Sequence, residues 1–269
     1  MDLFLKGKRA LVSGSSSGLG AECARVLARE GVSVVVTGRD RERAEAVAKE
    51  ITDAGGKAAV TIGDLQDDQQ AYRIAEDALA AFGGIDILVN NAGRLIRPEN
   101  PDWTTVPMSD WIKSFQGIIL GAVALSQKLA PGMVERGWGR IINFSSVAGY
   151  QALGQLLEYG PAKAAVHNFT INLSRMLSPK GVTVNTIAPG MFVTPGIARH
   201  MDAMAGQPGW ADTREENEKL YCTKHYPQPI PRGGRPSEIA AAVAFISSPR
   251  SDYTTGSMLR IDGGISKAL

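Results

Sequence analysis

The chain has 269 residues, with 29 lysines and arginines against 27 aspartates and glutamates and a net charge of +2. That balance leaves no basic field for a nucleic-acid partner, and the length suits one large α/β domain with a substantial core. The opening MDLFLKGKR lacks the apolar core and cleavage site of a secretory signal, and no apolar run approaches the roughly 20 residues that span a bilayer, so a soluble, cytoplasmic protein with no membrane partner is expected.

In chain order, β-branched or apolar runs at residues 9–13, 33–37, 58–62, 86–89, 140–145, 182–187 and 257–261 read as strands. Helical patterns separate them at 19–29, 41–53, 68–82, around 109–133, at 162–177 and at 238–247. Strands that are apolar almost throughout and alternate with helices imply an α/β, doubly wound, Rossmann-type parallel sheet of about seven strands with helices on both faces. No linker interrupts the pattern, so residues 1–269 read as one domain. Such sheets bind ligands at the carboxyl ends of their strands, and the functional motifs belong just after them. Cys23 falls on a buried helix face as a small core residue, Cys222 pairs with no pattern, and the three histidines have no metal-ligand spacing; no metal is expected.

After the first strand comes SGSSSGLG, residues 13–20, leading directly into a helix. Glycines at 14, 18 and 20 allow a tight turn, close approach of backbone to a pyrophosphate and close helix–strand packing, while the helix start offers free N–H groups. The order G-x-x-x-G-x-G resembles the T-G-x-x-x-G-x-G loop of the short-chain dehydrogenases/reductases, with serine replacing the leading threonine. The resemblance continues in order through Asp64, Asn90-Asn91-Ala92-Gly93, Ser146, Tyr159-x-x-x-Lys163, Pro189-Gly190 and Asp262-Gly263-Gly264, and covers nearly the whole chain. It implies an oxidoreductase with a nicotinamide dinucleotide bound by Gly14, Ser16, Ser17, Gly18, Leu19 and Gly20. Further along the cofactor it implies Asp64 on the adenine amino group with Leu65 beside it, then Asn91, Ala92 and Gly93, and Pro189, Gly190, Phe192 and Thr194 at the nicotinamide carboxamide.

The second strand ends in VVVTGRDRER. Gly38 falls where NAD-preferring relatives carry aspartate, and Arg39 offers a planar, permanently charged fork suited to a 2′-phosphate. NADP(H) is therefore favoured; NAD(H) stays open because Asp40 is near enough to restore acidity and Ser17 stands where some NADP-preferring relatives place a basic residue.

Tyr159 and Lys163 are four residues apart, about one helical turn, and so project to one side. The resemblance implies that Tyr159 exchanges a proton with the substrate oxygen, that Ser146 hydrogen-bonds that oxygen, and that Lys163 binds the nicotinamide ribose and lowers the tyrosine's pKa. Ser145 is the adjacent alternative to Ser146. Moving a phenol from about 10 to near 7 costs roughly 4 kcal/mol, which one cation about 4 Å away supplies at an effective dielectric near 20. The family's usual asparagine, seven residues after a tryptophan, is replaced: counting from Trp111 lands on Ile118, with Gln116 as a stand-in.

Residues 191–231 read as a substrate loop or lid, irregular from 196 onward and carrying Met201, Met204, Trp210, Tyr221 and Tyr226. With Tyr150, Leu153, Leu156 and Leu157 they suggest an apolar or mixed pocket for a small carbonyl or alcohol substrate. An alternative is a 3-oxoacyl-acyl-carrier-protein reductase, with Arg136 and Lys180 meeting the acidic carrier. A remoter one is an inactive dinucleotide-binding sensor or interaction protein. The resemblance also implies a homotetramer assembled through the long helices flanking the active-site strand, where Gly121, Ala122, Ala124, Ala162, Ala164 and Ala165 permit close contact.

Overall fold

Seven apolar segments form one parallel sheet in the computed structural model, which describes residues 1–93, 104–151 and 157–267. The strands are β1 Arg9–Val12, β2 Ser33–Gly38, β3 Lys57–Ile62, β4 Ile87–Asn90, β5 Gly139–Phe144, β6 Val182–Pro189 and β7 Met258–Ile261, in spatial order β3-β2-β1-β4-β5-β6-β7. Every neighbouring pair is parallel. The order reverses between β1 and β4, which opens a crevice at their carboxyl ends.

Side chains alternate across this sheet with period two. Ala10, Val12, Val34, Val36, Ile87 and Val89 join one core with helices α1 Gly18–Arg29, α2 Arg41–Asp53 and α9 Pro236–Ile246. Leu11, Val35 and Leu88 face the opposite core, shared with α3 Asp68–Phe82, α5 Gly121–Glu135 and α6 Tyr159–Leu177. Both faces being covered explains why these strands read as unbroken apolar runs. Entry into β6 depends on Gly181, whose φ is 84° and where a Cβ would sit 2.1 Å from the Gly137 carbonyl oxygen.

Three differences from the sequence reading bear on the site. Helix α6 begins at Tyr159 itself, with Pro161 inside its first turn, where a missing N–H breaks no helical bond. The region read as one helix around 109–133 is α4 Met108–Phe115, a π turn Gln116–Leu120 and α5. It is long and apolar enough to cross a membrane by length and composition, but Leu125, Leu129 and Met133 are buried against the sheet and Ile118 and Ile119 against α6. The stretch read as irregular after 196 contains α7 Pro195–Met204, α8 Arg214–Leu220 and a π turn Tyr221–His225. Thr194 and Thr213 cap the two helices through their hydroxyls; at 10 and 7 residues the segments are too short to stand out as helical patterns in the sequence.

Candidate active site

The phosphate-loop sequence folds into a turn clamped from two sides. Ser15 Oγ donates to Val12 O at 2.6 Å and accepts from Thr37 N at 2.9 Å. Ser13 Oγ accepts from the backbone N–H groups of Asn91 and Ala92, both at 3.0 Å, and the Asn91 amide donates back to Ser13 O at 2.9 Å. Asn90 turns the other way and donates to Asn143 Oδ1 at 2.8 Å, binding β4 to β5. Gly14 has φ 64°, and a Cβ at Gly20 would lie 2.4 Å from Asn91 Nδ2 and 2.6 Å from Gly14 O, so the first turn of α1 comes this close only with glycine.

That first turn is chemically open. Side-chain oxygens of Asp40, Asp67, Thr194 and Thr213 cap α2, α3, α7 and α8, whereas Ser17 makes no such bond at the start of α1. Uncapped amide donors with the positive end of the helix dipole suit a phosphate. The residues present therefore fit a dinucleotide.

A cavity of about 760 Å³ begins at this turn and runs along the carboxyl ends of the strands. Ser16, Ser17, Leu19, Gly14, Arg39, Asp64, Leu65, Asn91, Ala92, Gly93, Ser146, Tyr159, Lys163, Pro189, Gly190, Phe192 and Thr194 all line it. Gly18 and Gly20, also expected there, shape the turn from outside the lining. Met191 and Ile197 line it from the expected 191–231 loop, while Thr37, Gly63, Gln66, Gly117, Phe144, Val147 and Ile265 line it too and were not foreseen. Thr37 and Gly63 were legible as neighbours of strand ends, but nothing in the sequence pointed to Gly117 or Ile265. Tyr150 lies elsewhere, its hydroxyl on Asp262 Oδ2 at 3.2 Å, and Leu157 is not in the wall either. Leu153 and Leu156 fall outside the described residues.

At the adenosine end, Arg39 Nη1 stands 3.5 Å from Asp64 Oδ2. A Cβ at Gly38 would be 2.4 Å from Ser16 Oγ and 2.8 Å from Ser16 Cβ, so an acidic side chain there requires Ser16 to move. Asp40, the nearby acid, caps α2: its carboxylate accepts from Arg43 N at 3.1 Å and also pairs with the Arg43 guanidinium.

Deeper in, Ser146 and Tyr159 line the same stretch of wall, with the Ser146 hydroxyl placed to favour the phenolate of Tyr159. Ser145, the alternative, is committed to structure: its buried hydroxyl donates to Lys163 O at 2.8 Å. Lys163 is 3% exposed, and its ammonium donates to Phe144 O at 2.6 Å, 5.6 Å from the centre of the Tyr159 ring. Here the electrostatics differ from the sequence reading. Burial pushes the Tyr159 phenol up to about 12 against a smaller lowering by Ser146, and burial pushes the Lys163 ammonium down to about 7. Burial dominates both: the two groups are driven toward their neutral forms by the same low-dielectric pocket.

Ile118 occupies the expected asparagine position as a buried side chain; a Cβ added at Gly93 would lie 3.0 Å from Lys163 Nζ and 3.3 Å from Ile118 Cγ1. Gln116 does not stand in, since its amide reaches the surface and donates to Asp68 Oδ1 at 3.4 Å. Among the described residues no group of three or more metal-ligating His, Cys, Asp or Glu side chains comes together.

Known proteins align with this geometry over nearly the full chain. The family model described as short chain dehydrogenase matches residues 8–204. The 3-oxoacyl-[acyl-carrier-protein] reductase of Aquifex aeolicus is 34% identical over 266 residues, covering 98% of this chain and 100% of that protein. L-Sorbose reductase from Gluconobacter frateurii, solved with NADPH and L-sorbose, superposes with a TM-score of 0.92 at 30% identity over 100% of both chains. A 7α-hydroxysteroid dehydrogenase solved with NADH and 7-oxo glycochenodeoxycholic acid superposes at 0.81 with 31% identity, over 98% of this chain and 96% of that one. With its seven-stranded parallel sheet and its glycine turn at the head of a single long cavity, the chain belongs to the short-chain dehydrogenase/reductase family and is an oxidoreductase that interconverts CH–OH and C=O with a nicotinamide dinucleotide.

Proposed function

We propose that the protein is an NADP(H)-dependent reductase of small carbonyl compounds, and dehydrogenase of the matching secondary alcohols, with Ser146, Tyr159 and Lys163 as its catalytic residues. The observation that carries this reading is that all three side chains open into the cavity whose far end holds the uncapped start of α1 and Arg39. The nicotinamide, when bound, supplies or accepts the hydride. Ser146 and Tyr159 hold the substrate oxygen between their hydroxyls. Tyr159, protonated across the neutral range because its phenol is raised to about 12, is in the acid form that carbonyl reduction requires. Lys163, at about 7, sits near working pH and balances the phenolate as the proton leaves. Backbone of the π turn Gln116–Leu120 and Gly117 take the place of the missing asparagine beside it.

NADP(H) over NAD(H) is supported by Arg39 at the cavity wall, by Gly38 pressed against Ser16, and by Asp40 being spent on α2. Residues 191–231 serve as the lid, since Phe192, Thr194, Ile197, Tyr221 and Tyr226 border the cavity. Gly121, Ala122, Ala124 and Ala162 are buried inside the subunit, so assembly into a cytoplasmic homotetramer would instead use the exposed Met108, Ile112 and Leu120 on the long helix and Ala164 on α6. A carrier-protein reductase is the second reading, favoured by the Aquifex relative. Against it, Arg136 is already engaged by Asp86 Oδ1 at 3.1 Å and by Ile85 O. The test is fluorescence titration with NADPH and NADH, followed by a panel of ketones and 3-oxoacyl thioesters. NADPH preference with ketone turnover supports the proposal; binding without any turnover refutes it in favour of the inactive sensor.

A further inference from the structure

The family match ends at residue 204, yet the cavity wall continues into Tyr221 and Tyr226. These tyrosines stand at the two ends of the π turn Tyr221–His225, their ring centres 4.8 Å apart and their planes 29° apart. In a regular α-helix a residue five positions on lies about 140° round the axis. The wider turn, closed by Tyr226 N donating to Tyr221 O at 2.8 Å, brings the rings face to face instead. Behind them Trp210 lies 6.3 Å from Tyr221 and stacks on His225 at 4.8 Å. The pair is a braced aromatic wall. Val147 and Ile197 line the same cavity as Ser146 and Tyr159.

We propose that Tyr221 and Tyr226 form a ring-binding platform and that the substrate is a cyclic ketone, or its secondary alcohol, whose ring rests against them. This rests on the oxidoreductase reading and adds the substrate class. Stacked on each other and braced from behind, the two rings make a stiff aromatic surface that rewards a rigid ring: the ligand gains contact area with almost no torsions to freeze. An open-chain ketone of equal carbon count must immobilise several rotors for the same contact.

The experiment compares NADPH-dependent reduction of cyclohexanone with that of an open-chain hexanone, and of decalone with an open-chain decanone. It uses the full chain, the variants Tyr221→Leu and Tyr226→Leu, and the controls Tyr221→Phe and Tyr226→Phe. The expected result is a kcat/KM ratio of about tenfold or more in favour of the ring, carried by KM. That ratio is retained by the phenylalanine variants and collapses toward one in the leucine variants, with NADPH affinity unchanged in all. Equal or better turnover of open-chain ketones by the unmodified protein overturns the platform and leaves the oxidoreductase reading standing. So does a ring preference that survives both leucine variants. NADPH binding with no ketone reduced removes both readings.

Discussion

Replacing Lys163 by methionine separates the lysine's electrostatic cost from its structural bond. The ammonium is driven from 10.5 to about 7 by burial. At about 1.36 kcal/mol per pKa unit, that displacement corresponds to a destabilisation of about 5 kcal/mol at most while the group is charged in both states. The sign follows from proton counting. Below about pH 7 the folded and unfolded lysines are both protonated, and the full cost applies. Between about 7 and 10.5 the unfolded chain holds the extra proton, so the folded state gains stability as pH rises and the cost fades. Lys163→Met abolishes this dependence. It also leaves Phe144 O without the donor now at 2.6 Å, an offset of about 1–3 kcal/mol that does not vary with pH. The stability difference, variant minus unmodified protein, therefore falls by about 3 kcal/mol in the variant's disfavour from about pH 7 to about 9.5, and is flat below 7. Urea unfolding of both proteins without cofactor across that range measures it. A difference that stays constant from about pH 6 to about 9.5 refutes the argument that burial sets the lysine's protonation.

Tyr159→Phe should lower turnover about 10²–10⁴-fold while NADPH still binds, which single-turnover kinetics beside a fluorescence titration will show. Arg39→Ala should weaken NADPH about tenfold or more, the worth of a charge-assisted bond, and leave NADH binding nearly unchanged. Equal loss for both cofactors contradicts the role assigned to Arg39. Gly20→Ala, whose methyl meets Asn91 Nδ2 and the Gly14 carbonyl, should cost about 1–3 kcal/mol in thermal or urea unfolding and abolish cofactor binding. Cys23, its thiol pushed up to about 12 by burial, and Cys222, pushed up to about 11 by burial, should resist a thiol-specific reagent in the native protein and react on unfolding.

The seven strands and the cavity residues at their ends were legible because they rest on short-range regularities. Buried parallel strands are apolar throughout, and the turn at residues 13–20 must carry glycine where backbone meets backbone. Tyr159, Lys163 and Ser146 were named through the resemblance to the short-chain dehydrogenases/reductases, the one-turn spacing adding only that the first two share one side of a helix. Their protonation did not, because a pKa depends on how completely the folded chain removes a group from water. The sequence placed a cation one turn from the phenol, but only the tertiary structure shows that cation turned onto Phe144 O with both groups desolvated. The same limit blurred the substrate end. Tyr221 and Tyr226 were read as loop residues of the pocket, but Ile265, 119 residues downstream of Ser146, was not, because no local pattern links it to them. They meet in one cavity because the π turn, α7, α8 and the segment after β7 fold back over the carboxyl edge of the sheet. Local chemistry thus decided the reaction class, and long-range packing decided the charge states of its groups and the shape of what they act on.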